Sequence, residues 1–389
     1  MINKIKEIAS SIFEDIVEIR RQIHKNPELS FNEYKTSAYI KSVLKNWQIS
    51  FTDGLADTGI VVLLEGNNPN SRILALRADF DALPIIEEND VEYCSRNKGV
   101  MHACGHDAHT ASLLGVVKIL HTLRKQWRGS IKIIFQPAEE QYPGGAQQMI
   151  KEGVLENPKV QKMFGQHVFP DLEVGKVGFC PGKYMASADE IQITIIGSGG
   201  HAALVDTYNN PILAGAKLIT CLEDYFLPHR NIPSVFAIGF FEANGYCNVI
   251  PDKVELKGTF RTIDEEFRTL AHLQMQKIAN KIANECALDI DFEISKGYPS
   301  LYNDITLTNN AITYAKEYMG DDNVIDLSLR MTAEDFAYYC NEVPSCFYRL
   351  GTANKDKGII HGLHTSRFDI DENALKVGMG LMAYLAIRN

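Results

Sequence analysis

Three short apolar segments alternate with helix-like stretches in the first half of the chain. Residues 73–77, 130–136 and 160–165 are rich in β-branched side chains, which predicts strands. An amphipathic stretch lies between the first two, and its apolar spacing of three and four predicts a helix beginning near residues 106–108. Consecutive strands joined by a helix are typical of a parallel sheet. Such sheets present their binding sites at the carboxyl ends of the strands.

Side chains that bind metals or carry protons follow the predicted strands and precede the central helix. If the strands are parallel, these side chains meet in one crevice. Solvation explains any single acidic residue at a strand end, but it explains poorly the presence of all of them together. The residues concerned are Asp79 and Asp81, Cys104 and His106, Glu139 and Glu140, and His167.

The densest group lies in the central loop, residues 101–109, which reads M-H-A-C-G-H-D-A-H. Thiolate, imidazole and carboxylate are the side chains that ligate transition metals. Gly105 lets the backbone bend, so that Cys104 and His106 can converge on one point. A lone Cys or His is more often a packing residue, but the clustering of several in one bent loop predicts a metal site. A nucleophilic pair of Cys104 and His106 is the alternative interpretation.

Composition and charge exclude several classes of function. The chain has 389 residues, enough for two domains, and a formal net charge of −10 without a basic run, which argues against nucleic acid as a partner. No apolar stretch approaches the ~18 residues of a membrane span, and the N-terminus lacks a signal-peptide core, so we expect no membrane partner. Eight cysteines without a C-x-x-C pair predict reduced thiols and a cytoplasmic location.

The pattern changes near residue 187 and changes back near residue 297. Between them the order of predicted elements is β-α-β-β-α-β, which suggests a ferredoxin-like α+β module inserted into the first domain. We therefore expect an α/β domain with a mixed, largely parallel sheet and helices on both faces, formed by residues 1–186 and 298–389. The inserted domain is expected to span residues 187–297.

Several motifs, in order along the chain, resemble the amidohydrolase branch of the M20 metallopeptidase family. The resemblance covers nearly the whole chain, and it implies a zinc-exopeptidase-like fold whose inserted module acts as a lid and forms a homodimer. The motifs that carry it are R-A-D-F-D-A-L-P at 77–84, H-A-C-G-H-D-A-H at 102–109, F-Q-P-A-E-E at 135–140, G-Q-H-V at 165–168, G-S-G-G-H-A-A at 197–203, N-V-I-P-D at 248–252, G-T-F-R-T at 258–262, A-E-D-F-A at 333–337 and L-H-T at 363–365.

The resemblance implies two divalent metal ions per chain. Zinc or manganese is expected, with cobalt or nickel as alternatives, because a thiolate favours the softer metals while the family is often credited with manganese. Glu139 matches the general base of the family. The metal-ligand positions implied are Cys104, His106, Glu140, His167 and His364.

Other residues match family positions that complete the active site. His201 resembles a histidine that reaches the active site of the partner subunit, and Asn248 and Arg261 match residues suited to holding the substrate carboxylate. Asp81 and Asp107 resemble residues that orient the metal ligands. No role is predicted for Asp79, although it lies in the same motif as Asp81.

The function implied is hydrolysis of the amide bond of N-acyl amino acids, which releases a carboxylic acid and a free amino acid. A metal-activated water would attack the carbonyl, and Glu139 would move the proton. The same residues would equally serve a dipeptidase or a carboxypeptidase. Two further alternatives are a thiol hydrolase using Cys104 and His106, and a non-enzymatic protein that binds amino-acid conjugates.

Overall fold

The computed structural model describes all residues, 1–389, and divides into two compact units. The first unit comprises Met1–Gly182, Tyr302–Ser328 and Asp335–Asn389, and the second comprises Lys183–Leu301 and Leu329–Glu334. The short segment at 329–334, which the sequence assigns to the catalytic domain, therefore belongs to the second unit. Every helix is too short or too polar to cross a membrane.

The structure contains sixteen strands, numbered along the chain. They are β1 (Thr52–Leu55), β2 (Gly59–Glu65), β3 (Ile73–Asp79), β4 (Ser130–Gln136), β5 (Lys162–Glu173), β6 (Val177–Phe179), β7 (Gly182–Met185), β8 (Asp189–Ile196), β9 (Gly200–His201), β10 (Ser234–Ala243), β11 (Val249–Ile250), β12 (Lys253–Thr262), β13 (Asp289–Lys296), β14 (Leu301–Asn303), β15 (Val324–Asp326) and β16 (Ser345–Ala353).

Three of the helices begin at a capping side chain. Asn210, Asp264 and Asp304 each accept hydrogen bonds from free amides in the first turn of the following helix. The helices are α1 (Ile2–Ser11), α2 (Phe13–His24), α3 (Tyr34–Asn46), α4 (His106–Thr122), α5 (Gly145–Lys151), α6 (Pro211–Phe226), α7 (Glu265–Cys286), α8 (Ile305–Met319), α9 (Ala337–Glu342) and α10 (Asn373–Arg388).

The first unit is built on an eight-stranded mixed sheet in the order β1-β2-β4-β3-β5-β16-β6-β15. Strand β3 runs parallel to both β4 and β5, and β16 runs parallel to β5. The predicted parallel core of the sheet is therefore confirmed, and the carboxyl ends of these strands lie along one edge. Strand β2 is antiparallel to β4, which makes the sheet mixed.

Strand β5 differs from its prediction in a way that affects the site. The sequence predicts that the strand ends at Gly165, so that His167 follows it, but β5 continues to Glu173. Its pairing with β3 stops at Gly165, whereas its pairing with β16 continues beyond it and aligns His167 with Arg349. The backbone around His167 is therefore paired with β16 on one side, and it is no longer paired with β3 on the other side.

Helix α4 occupies the centre of the first unit. Every residue from His106 to Val117 is buried, because α1, α2, α10 and the sheet pack around it. Helix α10 approaches α4 so closely that a Cβ added at Gly115 would lie 2.5 Å from the sulfur of Met379. The helix that carries His106 at its first position is therefore held rigidly by the core.

The second unit contains a four-stranded antiparallel sheet in the order β10-β12-β8-β13. Helices α6 and α7 follow β8 and β12, so the predicted β-α-β-β-α-β order is observed, with the short pair β9 and β11 added. Apolar side chains of the sheet and of both helices form a separate core that includes Ile193, Leu218 and Met275. A lid or dimerisation role for this unit stays a prediction.

A buried ion pair fastens α7 to the sheet of the second unit. The Asp189 carboxylate accepts hydrogen bonds from Arg268 Nε and Nη2 at 2.9 and 2.5 Å, and its Oδ2 lies 2.7 Å from His272 Nε2. The Gly297 amide donates a further bond to it at 3.1 Å. Burial opposes ionisation, but His272 and Arg268 outweigh it and lower the pKa of Asp189.

Replacing Asp189 with Asn leaves the buried Arg268 guanidinium without its counter-charge. We expect Asp189→Asn to lower the free energy of unfolding by about 3–5 kcal/mol at pH 7, as measured by urea unfolding. Because the folded state lowers the pKa of this carboxyl, the stabilisation is complete above about pH 5 and is lost as the pH falls through the folded-state pKa. The difference between the two proteins should therefore shrink in acid.

The exposed pair of Lys253 and Glu255 on the same sheet supplies a matched control. Glu255→Gln should leave the urea midpoint unchanged, because water screens an exposed pair. Equal midpoints for Asp189→Asn and the unaltered protein at pH 7 would contradict the anchoring role of Asp189.

Candidate metal centre

The bend before α4 brings Cys104 and His106 to the same side of the chain. Gly105 has φ +81°, a left-handed conformation that favours glycine, and α4 begins at the next residue. A Cβ at this position would also lie 2.5 Å from a methyl group of Val168. Gly105 is therefore required both for the bend and for the close approach of β5.

Asp81 orients the ring of His106. His106 Nδ1 lies 2.9 Å from Asp81 Oδ1, and an ionised carboxylate only accepts, so the imidazole carries its proton on Nδ1. The other ring nitrogen, Nε2, faces a buried region where it has no hydrogen-bond partner. Burial lowers the pKa of His106, but Asp79 and Asp81, followed by Glu140, raise it to about 10. The same negative field would favour a metal cation at Nε2 in place of a second proton.

His167, in strand β5, directs its Nε2 atom towards Cys104. Its Nδ1 lies 2.7 Å from the carbonyl oxygen of Val168 and donates to it, which leaves Nε2 as the free lone pair. That Nε2 lies 3.4 Å from Cys104 Sγ. Burial, together with Glu140 and Glu139, raises the pKa of the Cys104 thiol well above its usual value. A cation would compensate the charge of the thiolate at this position.

The carboxyl end of β4 carries two adjacent glutamates with different surroundings. Ala138, which directly precedes them, has φ +53°, so the chain makes a left-handed turn there. The Glu140 amide donates to Asp81 Oδ2 at 2.9 Å, so one aspartate orients His106 and holds the backbone of this turn. Glu139 is 6 % exposed, and its Oε1 lies 3.4 Å from the amide of Asp335.

Glu140 and His364 approach each other from different segments of the first unit. His364 Nε2 lies 3.3 Å from Glu140 Oε1, and His106 Nε2 lies 3.9 Å from the same oxygen. Glu140 Oε1 is nevertheless buried without a hydrogen-bond partner, since neither contact has hydrogen-bond geometry. His364 itself is half-exposed and adopts a left-handed backbone conformation, with φ +61°.

The five predicted ligands lie close enough together to hold divalent metal ions. Two trios, which share Cys104, each place their ligand atoms within 4.8 Å of one another: Cys104 with His106 and His167, and Cys104 with Glu140 and His364. Glu139 forms a third trio with His106 and Glu140. Thiolate, imidazole and carboxylate together suit transition metals, and the buried, unpartnered atoms of His106 and Glu140 point to the same space.

A neighbouring trio of Asp79, His106 and His109 also lies within 4.8 Å, but its hydrogen bonds leave no ligand atom on His109. The amide of Val168 donates to His109 Nε2 at 2.8 Å, so the ring proton lies on Nδ1, where it is donated to Asp79 Oδ1 at 2.5 Å. His109 thus holds the backbone next to His167. Asp79, which has no predicted role, anchors this histidine and pairs with Arg77.

Asp107 lies immediately after His106, but its hydrogen bonds run to α2. Its Oδ2 accepts from Arg20 Nε at 2.7 Å and lies 2.7 Å from His24 Nδ1. Burial opposes ionisation, but Arg20 and His24 lower the pKa of Asp107. Asp107 therefore fastens the first turn of α4 to α2, and its predicted orienting role would act through the backbone.

The remaining predicted residues belong to the second unit. His201 lies in β9, pairs with Val249 of β11 and is exposed, and its Nδ1 accepts from the amide of Ala203 at 3.1 Å. That bond leaves Nε2 with the ring proton. Asn248 lies in an exposed turn, and Arg261 Nη1 donates to the carbonyl of Met331 at 3.3 Å. The roles of these residues stay predictions.

Comparisons with known proteins identify the family. An N-acyl-L-amino acid amidohydrolase of Geobacillus stearothermophilus is 39% identical over 304 residues, which cover 77% of this chain and 81% of the relative. Thermostable carboxypeptidase 2 of Saccharolobus solfataricus is 35% identical over 395 residues, which cover 100% of this chain and 98% of the relative.

A solved structure agrees with these sequence matches. The Bacillus subtilis YXEP protein, described as a dinuclear metal binding peptidase from the M20 family, has a TM-score of 0.82 and 34% identity, covering 97% of this chain and 98% of that chain. Residues 75–388 also match the sequence model of peptidase family M20/M25/M40. The chain therefore belongs to this peptidase family, and it is a hydrolase.

Proposed function

We propose that this chain hydrolyses the amide bond of N-acyl amino acids and releases a carboxylic acid and a free amino acid. The observation that carries the proposal is the pair of adjacent glutamates beside the ligand cluster, since Glu140 approaches the cluster while Glu139 keeps a separate carboxylate nearby. The amidohydrolase relative, whose name specifies N-acyl-L-amino acids, supports this class of substrate.

Two divalent cations would be held by the five ligands, with Cys104 contributing to both groups. When bound, such ions polarise a carbonyl and lower the pKa of a water molecule from 15.7 to about 7. The single thiolate favours zinc, and manganese is the alternative. Five ligands exceed the three or four that one zinc ion takes from a protein, which supports two ions rather than one.

Glu139 would move the proton during the reaction. As the water oxygen bonds to the acyl carbon, Glu139 takes a proton from the water and then delivers it to the nitrogen as the C–N bond breaks. Its nearly complete burial and its distance of 3.4 Å from the Asp335 amide would hold the carboxylate in place for both transfers. Glu140, directed to His364, would remain a ligand.

A carboxypeptidase activity is the second candidate, and the Saccharolobus relative named as a carboxypeptidase favours it. Both activities cleave an amide next to a residue with a free α-carboxylate. They differ in the group on the other side of the bond, which is an acyl group in one case and a peptide in the other.

A substrate panel tests the proposal and separates the two candidates. The purified chain should hydrolyse acetyl, benzoyl or indole-acetyl amino acids faster than dipeptides or longer peptides, when each is assayed with Zn²⁺, Mn²⁺, Co²⁺ and Ni²⁺. Metal analysis of protein purified without chelator should approach two ions per chain. Full activity with a metal content near zero would disprove the metal assignment, and it would favour the thiol hydrolase. Faster turnover of peptides would favour the carboxypeptidase.

Substitutions of the two adjacent glutamates should have different effects on kcat and on metal content. Glu139→Gln removes the proton carrier but keeps the ligands, so kcat should fall by about 10²–10⁴-fold with the metal content unchanged. Glu140→Ala removes a ligand and should lower the metal occupancy instead. The division of roles is wrong if both variants lose metal equally and neither shows a chemical defect at saturating metal.

We propose that the second unit forms a homodimer along strand β10. This strand lies at the edge of the four-stranded sheet, so one row of its backbone groups is unpaired within the unit. Val235, Phe240 and Phe241 on the strand are between 37% and 41% exposed. An edge strand with exposed aromatic side chains suits pairing with a second copy of the chain.

The partner subunit's His201 would complete the active site in such a dimer. Its ring proton on Nε2 is suited to donate a hydrogen bond to the oxygen that becomes negative as the carbonyl is attacked. Asn248 and Arg261 would hold the α-carboxylate of the substrate, because a guanidinium binds a carboxylate through two parallel hydrogen bonds.

We further propose a cytoplasmic location, since the eight cysteines are free thiols.

His201→Ala should lower kcat by roughly 10²–10³-fold without changing the metal content. If His201 acts across the dimer, mixing His201→Ala chains with Glu139→Gln chains under conditions that exchange subunits should restore activity. Each hybrid dimer would then contain one site in which both groups are intact. If hybrids demonstrably form and no activity returns, His201 acts within its own chain or not at all.

A further inference from the structure

A buried glutamate outside the ligand cluster reaches the turn that carries Glu139. Glu33 lies just before α3, and its side chain is completely buried. One oxygen, Oε1, accepts from the amide of Phe31 at 3.0 Å and from the amide of Ala138 at 2.8 Å. The other, Oε2, accepts from Thr58 Oγ1 at 3.3 Å. The bond to Ala138 joins segments separated by 105 residues.

The amide that Glu33 binds belongs to the residue that shapes this turn. Ala138 is buried and has φ +53°, a conformation that a residue with a Cβ adopts only when its surroundings require it. Its N–H points away from any strand partner and would be a buried, unpaired donor without Glu33. This bond therefore satisfies the amide at the centre of the left-handed turn that precedes Glu139 and Glu140.

A second contact joins the same N-terminal segment to the turn. Ser30 Oγ donates to Asp81 Oδ2 at 2.7 Å, and the same oxygen accepts from the amide of Glu140 at 2.9 Å. Residues 30–33 therefore hold the turn at two amides, directly at Ala138 and through Asp81 at Glu140. No apolar side chain at position 33 could provide the first of these bonds.

We propose that Glu33 is a positioning residue for the active site, whose carboxyl group holds the left-handed turn at Ala138 and thereby keeps Glu139 and Glu140 in place beside His106. This inference rests on the proposed function, in which Glu139 moves the proton and Glu140 binds a metal ion. Glu33 is not among the proposed metal ligands, and it acts through the backbone of the turn.

Two substitutions at position 33 and one control separate positioning from simple stabilisation. Glu33→Ala removes the acceptor for Ala138. Glu33→Gln keeps a side-chain oxygen of the same reach, and it matches the neutral carboxyl, since burial and the charge of Asp81 raise the pKa of Glu33 to about 7. Thr58→Val is the matched control, because it removes only the hydroxyl bond to Glu33 and leaves both amide bonds.

Three measurements are made on folded protein, well below the unfolding temperature of each variant. The first is the affinity for Zn²⁺ alone, by competition with a chromophoric chelator. The second is hydrogen–deuterium exchange of a peptide covering residues 136–141. The third is kcat and KM for an N-acyl amino acid at saturating metal.

Glu33→Ala should lower kcat by about 10–100-fold with KM changed by less than about threefold, because a small displacement of a catalytic group costs rate rather than substrate binding. Its Zn²⁺ affinity should fall by about tenfold, as for other residues that support ligands indirectly. Exchange at residues 136–141 should become faster. Glu33→Gln should restore all three properties to within about threefold of the unaltered chain, and Thr58→Val should change none of them.

Normal Zn²⁺ affinity, exchange and kcat in folded Glu33→Ala would overturn the proposal, as would equal losses in Glu33→Gln and Glu33→Ala. Should Glu33→Ala fail to fold, Glu33→Asp replaces it, since the shorter side chain withdraws from Ala138; the same losses are expected, and their absence would overturn the proposal. If the proposed function itself is wrong, the unaltered chain fails to hydrolyse the substrate, while Zn²⁺ affinity and exchange still test Glu33.

Discussion

The carboxylate of Asp81 is the interaction on which the candidate active site depends. One oxygen orients His106 by accepting its Nδ1 proton, and the other accepts from Ser30 and from the amide of Glu140. A single buried group thus joins the end of β3, the first residue of α4 and the turn after β4. Because each of these elements is fixed by the core, the candidate ligand atoms are already held in place, and binding of an ion would require little reorganisation.

Charge is distributed unevenly around this centre. Buried arginines neutralise the carboxylates farther out, as Arg77 does for Asp79 and Arg20 does for Asp107. Cys104 and Glu140, by contrast, have no arginine or lysine among their contacts, and they lie next to His167 Nε2 and His364 Nε2 respectively. Thiol, imidazole and carboxylate groups that converge without an arginine or lysine suit a metal ion, which would supply the missing positive charge.

Candidate ligand residues can be recognised in the sequence, whereas the hydrogen bonds behind them cannot. Metal-ligating side chains at the ends of strands are visible in the sequence because both the residue type and the strand are local properties. Asp79 and His109 were visible too, but their hydrogen bonds to each other and to Val168 depend on how β3, α4 and β5 pack. The hydrogen bonds of Asp107 to α2 also depend on packing, and the neighbouring His106 gives no local signal for them.

The sequence by itself determined the strands, the helix that begins at His106, the parallel core of the sheet and the kinds of ligand, because these follow from local periodicity and residue chemistry. Only the tertiary structure decided the extension of β5 past His167, the nitrogen that each histidine presents and the bond between Glu33 and Ala138. Each of these depends on backbone and side-chain groups far apart in the chain, and a hydrogen bond has no sequence pattern when its partners are separated by 105 residues.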